Sequence, residues 1–353
     1  MAYYLQGKIR SYKRNVRIMN KICFLLIILS FIFNSCTSEP ETKPVPEQEI
    51  TDSLTYASED STESIDPQKI EIEKVLLYDK HTLDDSYPYK DTTRVFQWDK
   101  IRERLALMDS IRNLSASWGI LQNYKNKNGE APLVKNFHRN EYKRISDTLG
   151  VERYQSVPLF LPNDSNKAER YGRDGMLVKY IKSEGSFIHV TTIDFDGEWK
   201  VPQKYIKVIH DTVVFNKAIF VDVTNQNITT LEKVDSKWLV RSMNPATTGM
   251  HKPPYMQETP LGMFMIQEKK SKMVYLVDGG QETGGFAPYA SRFTNGGYIH
   301  GVPVNAPHTA LIEFSPSLGT TPRSHMCVRN ATSHAQFIYD WAPAEETMVF
   351  VFD

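Results

Sequence analysis

Short apolar runs separated by glycine-containing turns follow one another from about residue 155 to the C-terminus, and they limit the possible folds most. Several short strands joined in this way are typical of all-β barrels and sandwiches. The runs predict strands at 176–181, 187–193, 199–201, 214–223, 238–241, 263–266, 273–277 and 348–352, with one short helix at about 331–340. The fold class is therefore predicted to be mainly β.

One longer amphipathic helix is predicted upstream, over residues 91–113. Its apolar residues recur at steps of three and four, which is the spacing of one buried helix face: Val95, Trp98, Ile101, Leu105, Met108 and Ile111. We interpret this face as packing rather than function. Residues 71–153 as a whole are predicted to be a partly helical N-terminal region.

The N-terminus has the composition of an export signal. Basic residues precede a dozen apolar residues at 22–33, and this run is shorter than the roughly 20 apolar residues that span a bilayer. Residues 1–36 are therefore predicted to be a signal peptide, with Met19 as an alternative true start. Residues 37–70 are rich in proline, acidic and hydroxyl side chains, so they are predicted to form a disordered tether.

The signal peptide ends in Phe-Asn-Ser-Cys36, which resembles a bacterial lipobox. Phe33 and Asn34 depart from the usual residues of that motif. The resemblance implies a lipid on Cys36, and hence an extracytoplasmic protein anchored in the cell envelope, on the outer membrane facing the periplasm. A plain signal peptide in which Cys36 is incidental remains the alternative.

Charge and cysteine content narrow the function. Lysine plus arginine number 42, as do aspartate plus glutamate, and this balance argues against a nucleic-acid partner, which needs a basic surplus. Cys23 and Cys36 lie at the N-terminus, so the predicted folded part has one thiol, Cys327. A lone thiol is either an inert buried residue or a reactive nucleophile.

Candidate bases and cations surround Cys327 in the sequence. A catalytic thiol needs a base or a positive charge nearby, because only the thiolate is nucleophilic. Arg323, His325 and Arg329 are local candidates, and His300 and His308 lie upstream. The histidines lack the spaced partners of a zinc site, so no metal and no cofactor are predicted.

Two segments at this site resemble a known family. Tyr298-Ile-His-Gly301 is followed by Ser324-His-Met-Cys-Val-Arg329, and segments 222–226, 244–249 and 259–264 precede them in the expected order. This arrangement resembles the L,D-transpeptidase catalytic domain, the YkuD family. The resemblance implies a β-sandwich-like catalytic domain with short helices at 212–353. Residues 154–211 resemble a Src-homology-type small β-barrel, for which we predict wall binding.

The family resemblance also implies roles for individual residues. Cys327 would attack a peptidoglycan tetrapeptide stem, with His300 as the base and the Gly301 carbonyl orienting it. Backbone N–H groups of Met326 and Cys327 would hold the oxyanion. Three side chains would contact the substrate: Tyr298, Ser324 and Arg329. Transfer to a stem amine would give a 3–3 crosslink, and transfer to water would make the enzyme an L,D-carboxypeptidase. The sequence does not distinguish these acceptors from a protein amine, and it does not give the oligomeric state.

Two departures from the family pattern keep alternatives open. Met326 replaces the family's glycine, and residues 305–314 read as an insertion between His300 and Cys327. A catalytically silent wall-binding lipoprotein is one alternative. A papain-like wall peptidase is another, although such enzymes place the histidine after the cysteine. The only histidine after Cys327 is His334, which is predicted to lie on a helix surface.

Overall fold

Strands dominate the structure, which confirms the predicted fold class. The computed structural model describes residues 65–353, and these belong to one compact unit. The predicted signal peptide, the lipobox and residues 37–64 of the predicted tether lie outside the described residues. Within residues 65–353, no helix is long and apolar enough to cross a membrane.

The described chain contains two α-helices and 22 strands. The helices are α1 (Trp98–Asn113) and α2 (Thr332–Trp341), and short 3-10 helices lie at Pro67–Lys69, Tyr124–Asn126 and Gln203–Tyr205. The first twelve strands are β1 (Ile72–Lys74), β2 (Ser86–Tyr89), β3 (Thr92–Val95), β4 (Trp118–Leu121), β5 (His138–Arg139), β6 (Ile145–Ser146), β7 (Ser156–Leu159), β8 (Arg170–Arg173), β9 (Leu177–Glu184), β10 (Phe187–Thr192), β11 (Glu198–Pro202) and β12 (Ile206–Val208). The remaining ten are β13 (Lys217–Asp222), β14 (Asn227–Val234), β15 (Lys237–Pro245), β16 (Gly262–Met265), β17 (Glu268–Leu276), β18 (Thr283–Thr294), β19 (Gly297–His300), β20 (Val304–Asn305), β21 (Val328–Arg329) and β22 (Thr347–Phe352).

A six-stranded sheet forms the centre of the C-terminal part, in the order β1-β15-β14-β13-β22-β16. Side chains of its central strand β13 alternate between two apolar cores, as a period of two requires. Ala218 and Phe220 enter one core, whereas Ile219 and Val221 enter the other. The sheet is therefore covered on both faces.

A second sheet, in the order β17-β18-β19-β21, covers one face of the first. The shared core contains residues from both sheets and from α2: Ile219, Val221, Phe264, Phe293, Ile299, Val328 and Ile338. This packing confirms the sandwich-like catalytic domain that the sequence predicts. It also leaves the outer face of β19 and β21 free to carry a site.

Helix α1 covers the opposite face of the six-stranded sheet, where Ile101, Leu105 and Met108 are fully buried. The helix begins at Trp98, so the predicted start at residue 91 is wrong. Residues 92–95 instead form β3, which pairs with β2, and Val95 is 41% exposed. Two threonines and a valine in this segment favour a strand over a helix.

The small sheet has the order β11-β10-β9-β4-β12. The predicted domain boundary at residue 154 is wrong, because β4 (Trp118–Leu121) pairs with both β9 and β12. Among the described strands, β11 and β12 are the two ends of this sheet. The sequence could not place β4, since its partners lie more than fifty residues further along the chain.

The N-terminal region is likewise part of the larger fold. Strand β1 pairs in parallel with β15, which joins residue 72 to residue 238. The tether predicted to run to residue 70 ends earlier, because Ile70 is buried in the core beneath α1. The predicted strands and the short helix whose bounds are confirmed to within three residues include β9, β10, β13, β16, β22 and α2.

Candidate active site

The parallel pairing of β19 with β21 brings together the two segments that carry the predicted catalytic residues. Ile299 pairs with Val328 and His300 with Arg329. Ile299 and Val328 both point into the sandwich core. Because side chains alternate along a strand, their neighbours His300 and Cys327 share the opposite, outer face. The structure therefore brings together two residues that are far apart in the sequence.

His300 is buried, and its tautomer is fixed by its neighbour. Nδ1 lies 2.6 Å from the Gly301 carbonyl oxygen, which can only accept, so Nδ1 carries the proton and Nε2 is left as the basic nitrogen. Burial lowers the pKa of His300 to about 4, with a smaller contribution from the Arg329 charge. The imidazole is thus neutral at physiological pH.

Close packing holds the Gly301 carbonyl in this position. The Gly301 backbone N–H donates to the Pro288 carbonyl at 2.9 Å. A Cβ on Gly301 would lie 2.8 Å from Thr332 Oγ1 and 2.9 Å from the Pro288 side chain. Glycine is required here because no larger residue fits between the strand and the start of α2.

Cys327 is a free thiol, 8% exposed, that packs against Tyr298 and Ala290. Its Sγ donates to the Gly296 carbonyl at 3.4 Å. Burial raises the pKa of the thiol, and the Tyr298 backbone and the Arg329 charge offset this in part. In the resting site the thiol and the imidazole are therefore both neutral, and they do not form an ion pair.

Met326 adopts the backbone conformation that the family's glycine would permit. Its φ is +94°, in the region that side chains rarely occupy. Thr259 Oγ1 holds the Met326 carbonyl at 2.8 Å and accepts the Gly249 N–H at 2.8 Å. The loop before the nucleophile thus keeps its turn although the residue is methionine.

The segment at 247–249 supports the same loop through backbone bonds. The Thr248 carbonyl accepts the N–H groups of Arg323 (2.9 Å) and Ser324 (3.0 Å). Thr247 exchanges two backbone bonds with Arg329, at 2.8 and 2.9 Å. These backbone contacts hold residues 247–248 against the loop that carries Cys327.

Two of the three residues predicted to contact the substrate, Ser324 and Tyr298, are buried. Ser324 is 1% exposed, and its hydroxyl donates to the Cys327 carbonyl. Tyr298 is 2% exposed, and its hydroxyl donates to the hydroxyl of Tyr124 at 3.1 Å. In the structure, Ser324 holds the loop and Tyr298 packs against the thiol, and their predicted substrate contacts stay predictions.

Arg329 differs from these two residues because it is only half-buried. Within residues 65–353, its buried Nε has no hydrogen-bond partner. Burial lowers the pKa of the guanidinium, and the charge acts on both Cys327 and His300. An unpaired guanidinium beside the thiol suits a carboxylate of an incoming molecule.

The rival bases lie in less suitable surroundings. His325 is exposed, and its Nε2 lies 2.9 Å from Asp278. His308 is exposed in the segment after β20. His334 is fully buried, which corrects the surface position predicted for it, and Nε2 lies 2.9 Å from Ser242 Oγ. Of these histidines, His300 alone shares the buried sheet face with Cys327.

Three residues that support the site were not predicted from the sequence: Gly296, Tyr124, and Thr259 in its role of holding the Met326 carbonyl. Gly296 and Tyr124 carry no motif, and only the folded chain brings Gly296 to Cys327 and Tyr124 to Tyr298. No cluster of three His, Cys, Asp or Glu side chains suited to a metal occurs within residues 65–353.

A buried cysteine and a histidine of fixed tautomer, on the outer face of a β-sandwich domain, define a candidate thiol–imidazole site. Residues 216–351 match the YkuD family, the L,D-transpeptidase catalytic domain. This part of the chain is similar to the L,D-transpeptidase catalytic domain. No curated protein matches the chain at a significant level.

Three solved structures show a weaker likeness. An L,D-transpeptidase from Mycobacterium smegmatis is 20% identical, with 50% of this chain and 77% of that chain covered and a TM-score of 0.33. L,D-transpeptidase 3 from Mycobacterium tuberculosis is 17% identical, with 52% of this chain and 93% of that chain covered and a TM-score of 0.32. A fused Zn-dependent amidase/peptidase/peptidoglycan-binding domain-containing protein from Clostridium acetobutylicum is 19% identical, with 40% and 53% covered and a TM-score of 0.29. The chain thus spans about half the length of the third protein.

Proposed function

We propose that this protein is a peptidoglycan L,D-transpeptidase in which Cys327 is the nucleophile and His300 the general base. The observation that carries the proposal is the shared sheet face of these two residues, with His300 Nδ1 fixed on the Gly301 carbonyl. A thiol is activated in this way when a base of fixed tautomer lies beside it.

In the first half-reaction, His300 Nε2 takes the Sγ proton while Sγ attacks the carbonyl carbon of the third stem residue. The oxyanion forms near the backbone N–H groups of Met326 and Cys327. Collapse breaks the C–N bond to the fourth residue, and the leaving amine takes the proton from His300. The products are a thioester on Cys327 and a free terminal D-amino acid. General-base assistance of this kind contributes about 10²- to 10⁴-fold to a rate.

In the second half-reaction, the amine of another stem attacks the thioester carbonyl. That amine gives a proton to His300, the C–S bond breaks, and the sulfur recovers the proton. The new amide is a 3–3 crosslink. Water as the acceptor gives a tripeptide instead, by the same proton transfers. Arg329 is the proposed partner of a stem carboxylate, because its guanidinium is half-buried and has an unpartnered Nε.

Incubation of the detergent-purified full chain with disaccharide-tetrapeptides tests the proposal. We expect 3–3 dimers or tripeptides, together with a released D-amino acid and a thioester adduct on Cys327 detected by mass spectrometry. The Cys327→Ala variant should form none of these. His300→Asn should lose most of the activity, whereas the matched variants His325→Asn and His308→Asn should retain it. Identical products from the wild type and Cys327→Ala would support the silent wall-binding alternative and refute the enzyme.

We also propose that Cys36 carries the lipid that holds the protein in the cell envelope. The support is the sequence alone: a basic flank, an apolar run of a dozen residues and a cysteine at its end. In bacterial cells the Cys36→Ser variant should lose both the acyl mass on its N-terminal peptide and the membrane association. Unchanged mass and fractionation would show that the anchor is elsewhere or absent.

A further inference from the structure

Asp174 is a fully buried carboxylate in the turn between β8 and β9 of the small sheet. Its Oδ1 accepts the backbone N–H of Asn123 at 2.8 Å. Its Oδ2 accepts three bonds from the catalytic domain: Gln267 Nε2 at 2.9 Å, Arg292 Nη1 at 2.6 Å and the Asn295 N–H at 2.9 Å. A charge this far from water persists only when it is well paired. The carboxylate therefore fixes where these donors lie.

The backbone of the same turn is joined directly to the catalytic domain. The Gly175 carbonyl accepts the Met265 N–H at 2.9 Å, and the Asp174 carbonyl accepts the Thr294 hydroxyl at 2.5 Å. Gly175 has a φ of +92°, and a Cβ there would lie 2.0 Å from the Phe293 carbonyl oxygen. The turn thus lies against β18 with no room for a side chain, which a loosely tethered module would not require.

The turn between β18 and β19 extends this contact to the nucleophile. Asn295 donates its N–H to Asp174, and the next residue, Gly296, accepts the hydrogen bond from Cys327 Sγ at 3.4 Å. The Tyr298 backbone, two residues further on, lowers the pKa of the same thiol. A shift of this turn would therefore change both the position and the surroundings of the sulfur.

Tyr124, which follows β4, makes a second contact between the small sheet and the surroundings of Cys327. The Tyr124 hydroxyl accepts from Tyr298, the residue that packs against Cys327. The Arg292 guanidinium lies 4.4 Å from the centre of the Tyr124 ring. The small sheet thus reaches the wall of the thiol site at two points.

We propose that the small sheet is a positioning element of the active site, in which Asp174 sets the place of the Cys327 thiol through the Asn295–Gly296 turn. This inference rests on the proposed role of Cys327 as the nucleophile. It gives the region for which wall binding was predicted a part in positioning the nucleophile. Asp174 touches no reacting atom, so it is a positioning residue and not a catalytic one.

The Asp174→Asn variant of the full chain tests the inference. An amide has one acceptor oxygen, so its NH₂ group must face at least one donor that the carboxylate now satisfies. Asp109→Asn is the matched control, because Asp109 is also buried and is paired with Lys233 at 2.6 Å. It lies on α1, across the six-stranded sheet from Cys327. The readouts are thermal unfolding, kcat and KM on tetrapeptide stems, and iodoacetamide alkylation between pH 6 and pH 10, quantified at the Cys327 peptide.

We expect Asp174→Asn to lower kcat by about tenfold or more while KM changes less than about threefold, because small misplacements of reacting groups are costly. The midpoint of the alkylation profile should move by at least about half a pH unit, a change of roughly threefold in thiolate fraction. Asp109→Asn should keep the wild-type profile despite a comparable loss of thermal stability. Wild-type kcat and alkylation for Asp174→Asn, or an equal shift in Asp109→Asn, would overturn the inference.

Thr294→Val is the variant to use if Asp174→Asn does not fold, since it removes one hydroxyl bond to the Asp174 carbonyl and preserves shape. It should shift the alkylation profile in the same direction by a smaller amount, and a profile identical to the wild type would count against the inference. The alkylation readout needs no substrate. A wild-type chain that forms neither crosslinks nor tripeptides would refute the proposed function, and the thiol measurements would still decide the role of Asp174.

Discussion

Met326 precedes the nucleophile with a φ of +94°, a conformation in which a Cβ crowds its own backbone. Comparing the Met326→Ala and Met326→Gly variants measures this strain, because neither retains the long side chain. The loop conformation itself should persist in both, since Thr259 holds the Met326 carbonyl and Ser324 holds the carbonyl of Cys327.

The magnitude follows from two opposing terms. A left-handed backbone costs a residue with a Cβ about 1–2 kcal/mol, and strained positions of this kind cost up to about 3 kcal/mol. Glycine also lowers the free energy of unfolding by about 0.4–1 kcal/mol, because the unfolded chain gains conformational freedom. The Met326→Gly variant should therefore be more stable than Met326→Ala by about 1 kcal/mol. At an ordinary φ the order would be reversed.

Urea unfolding followed by tryptophan fluorescence provides the assay, because the slope reports any change in exposed surface and the midpoint reports stability. Ala335→Gly within α2 is the control, because there glycine should lower stability relative to alanine. Helix interiors disfavour glycine by about 1 kcal/mol. If Met326→Ala proved as stable as Met326→Gly, the strained turn would not exist in solution. The nucleophile loop would then have a different shape from the one described above.

Three further predictions concern the same site. Thr259→Val should lower stability by about 1–3 kcal/mol and reduce kcat, because two backbone groups lose their partner; Thr259→Ser should restore both in the same urea and activity assays. His300 has a folded pKa of about 4, below the ordinary 6.5, so the unfolded chain binds more protons between these values. The free energy of unfolding is therefore highest above pH 6.5 and falls by about 3 kcal/mol as the pH drops from 6.5 to 4. The His300→Gln variant should flatten this part of the stability–pH curve. An unchanged slope would contradict the burial of His300. Gly301→Ala should destabilise the protein and slow acylation, since its Cβ would lie 2.8 Å from Thr332; wild-type acylation rates would show that the Gly301 carbonyl does not hold the base.

The sequence predicts local structure well where one physical rule dominates. Strands such as β10 and β22 are fixed by alternation or by a continuous apolar run between turns. The start of α1 was misplaced because Val95 fits the helical spacing and the neighbouring threonines also fit a strand. Pairing with β2 makes residues 92–95 a strand. Such pairing between segments cannot be read from a window of a dozen residues.

For the site, the sequence predicted the chemistry but not the direction in which side chains point. Ser324 and Tyr298 carry hydroxyl groups beside the motif residues, so they were predicted to contact substrate, yet both are buried. Asp174 was missed for a related reason. It lies in Arg-Asp-Gly, which reads as an exposed turn, and only the long-range partners Arg292 and Asn295 show that it is buried. Burial of a polar residue depends on partners that are distant in the chain.

The domain boundaries were misplaced because the core is not contiguous in sequence. The family match begins at residue 216, yet the six-stranded sheet is completed by β1 and covered by α1, both from upstream. The chain then continues from α1 to β4, the strand that anchors the small sheet, and returns through β12 to β13. Because α1 is fixed against one face of the sandwich, the short connection from α1 to β4 restricts where the small sheet can lie. Asp174 and Gly175 then hold it against the turn that contacts Cys327. The same upstream segment therefore serves the core on one side of the catalytic domain and the thiol site on the other.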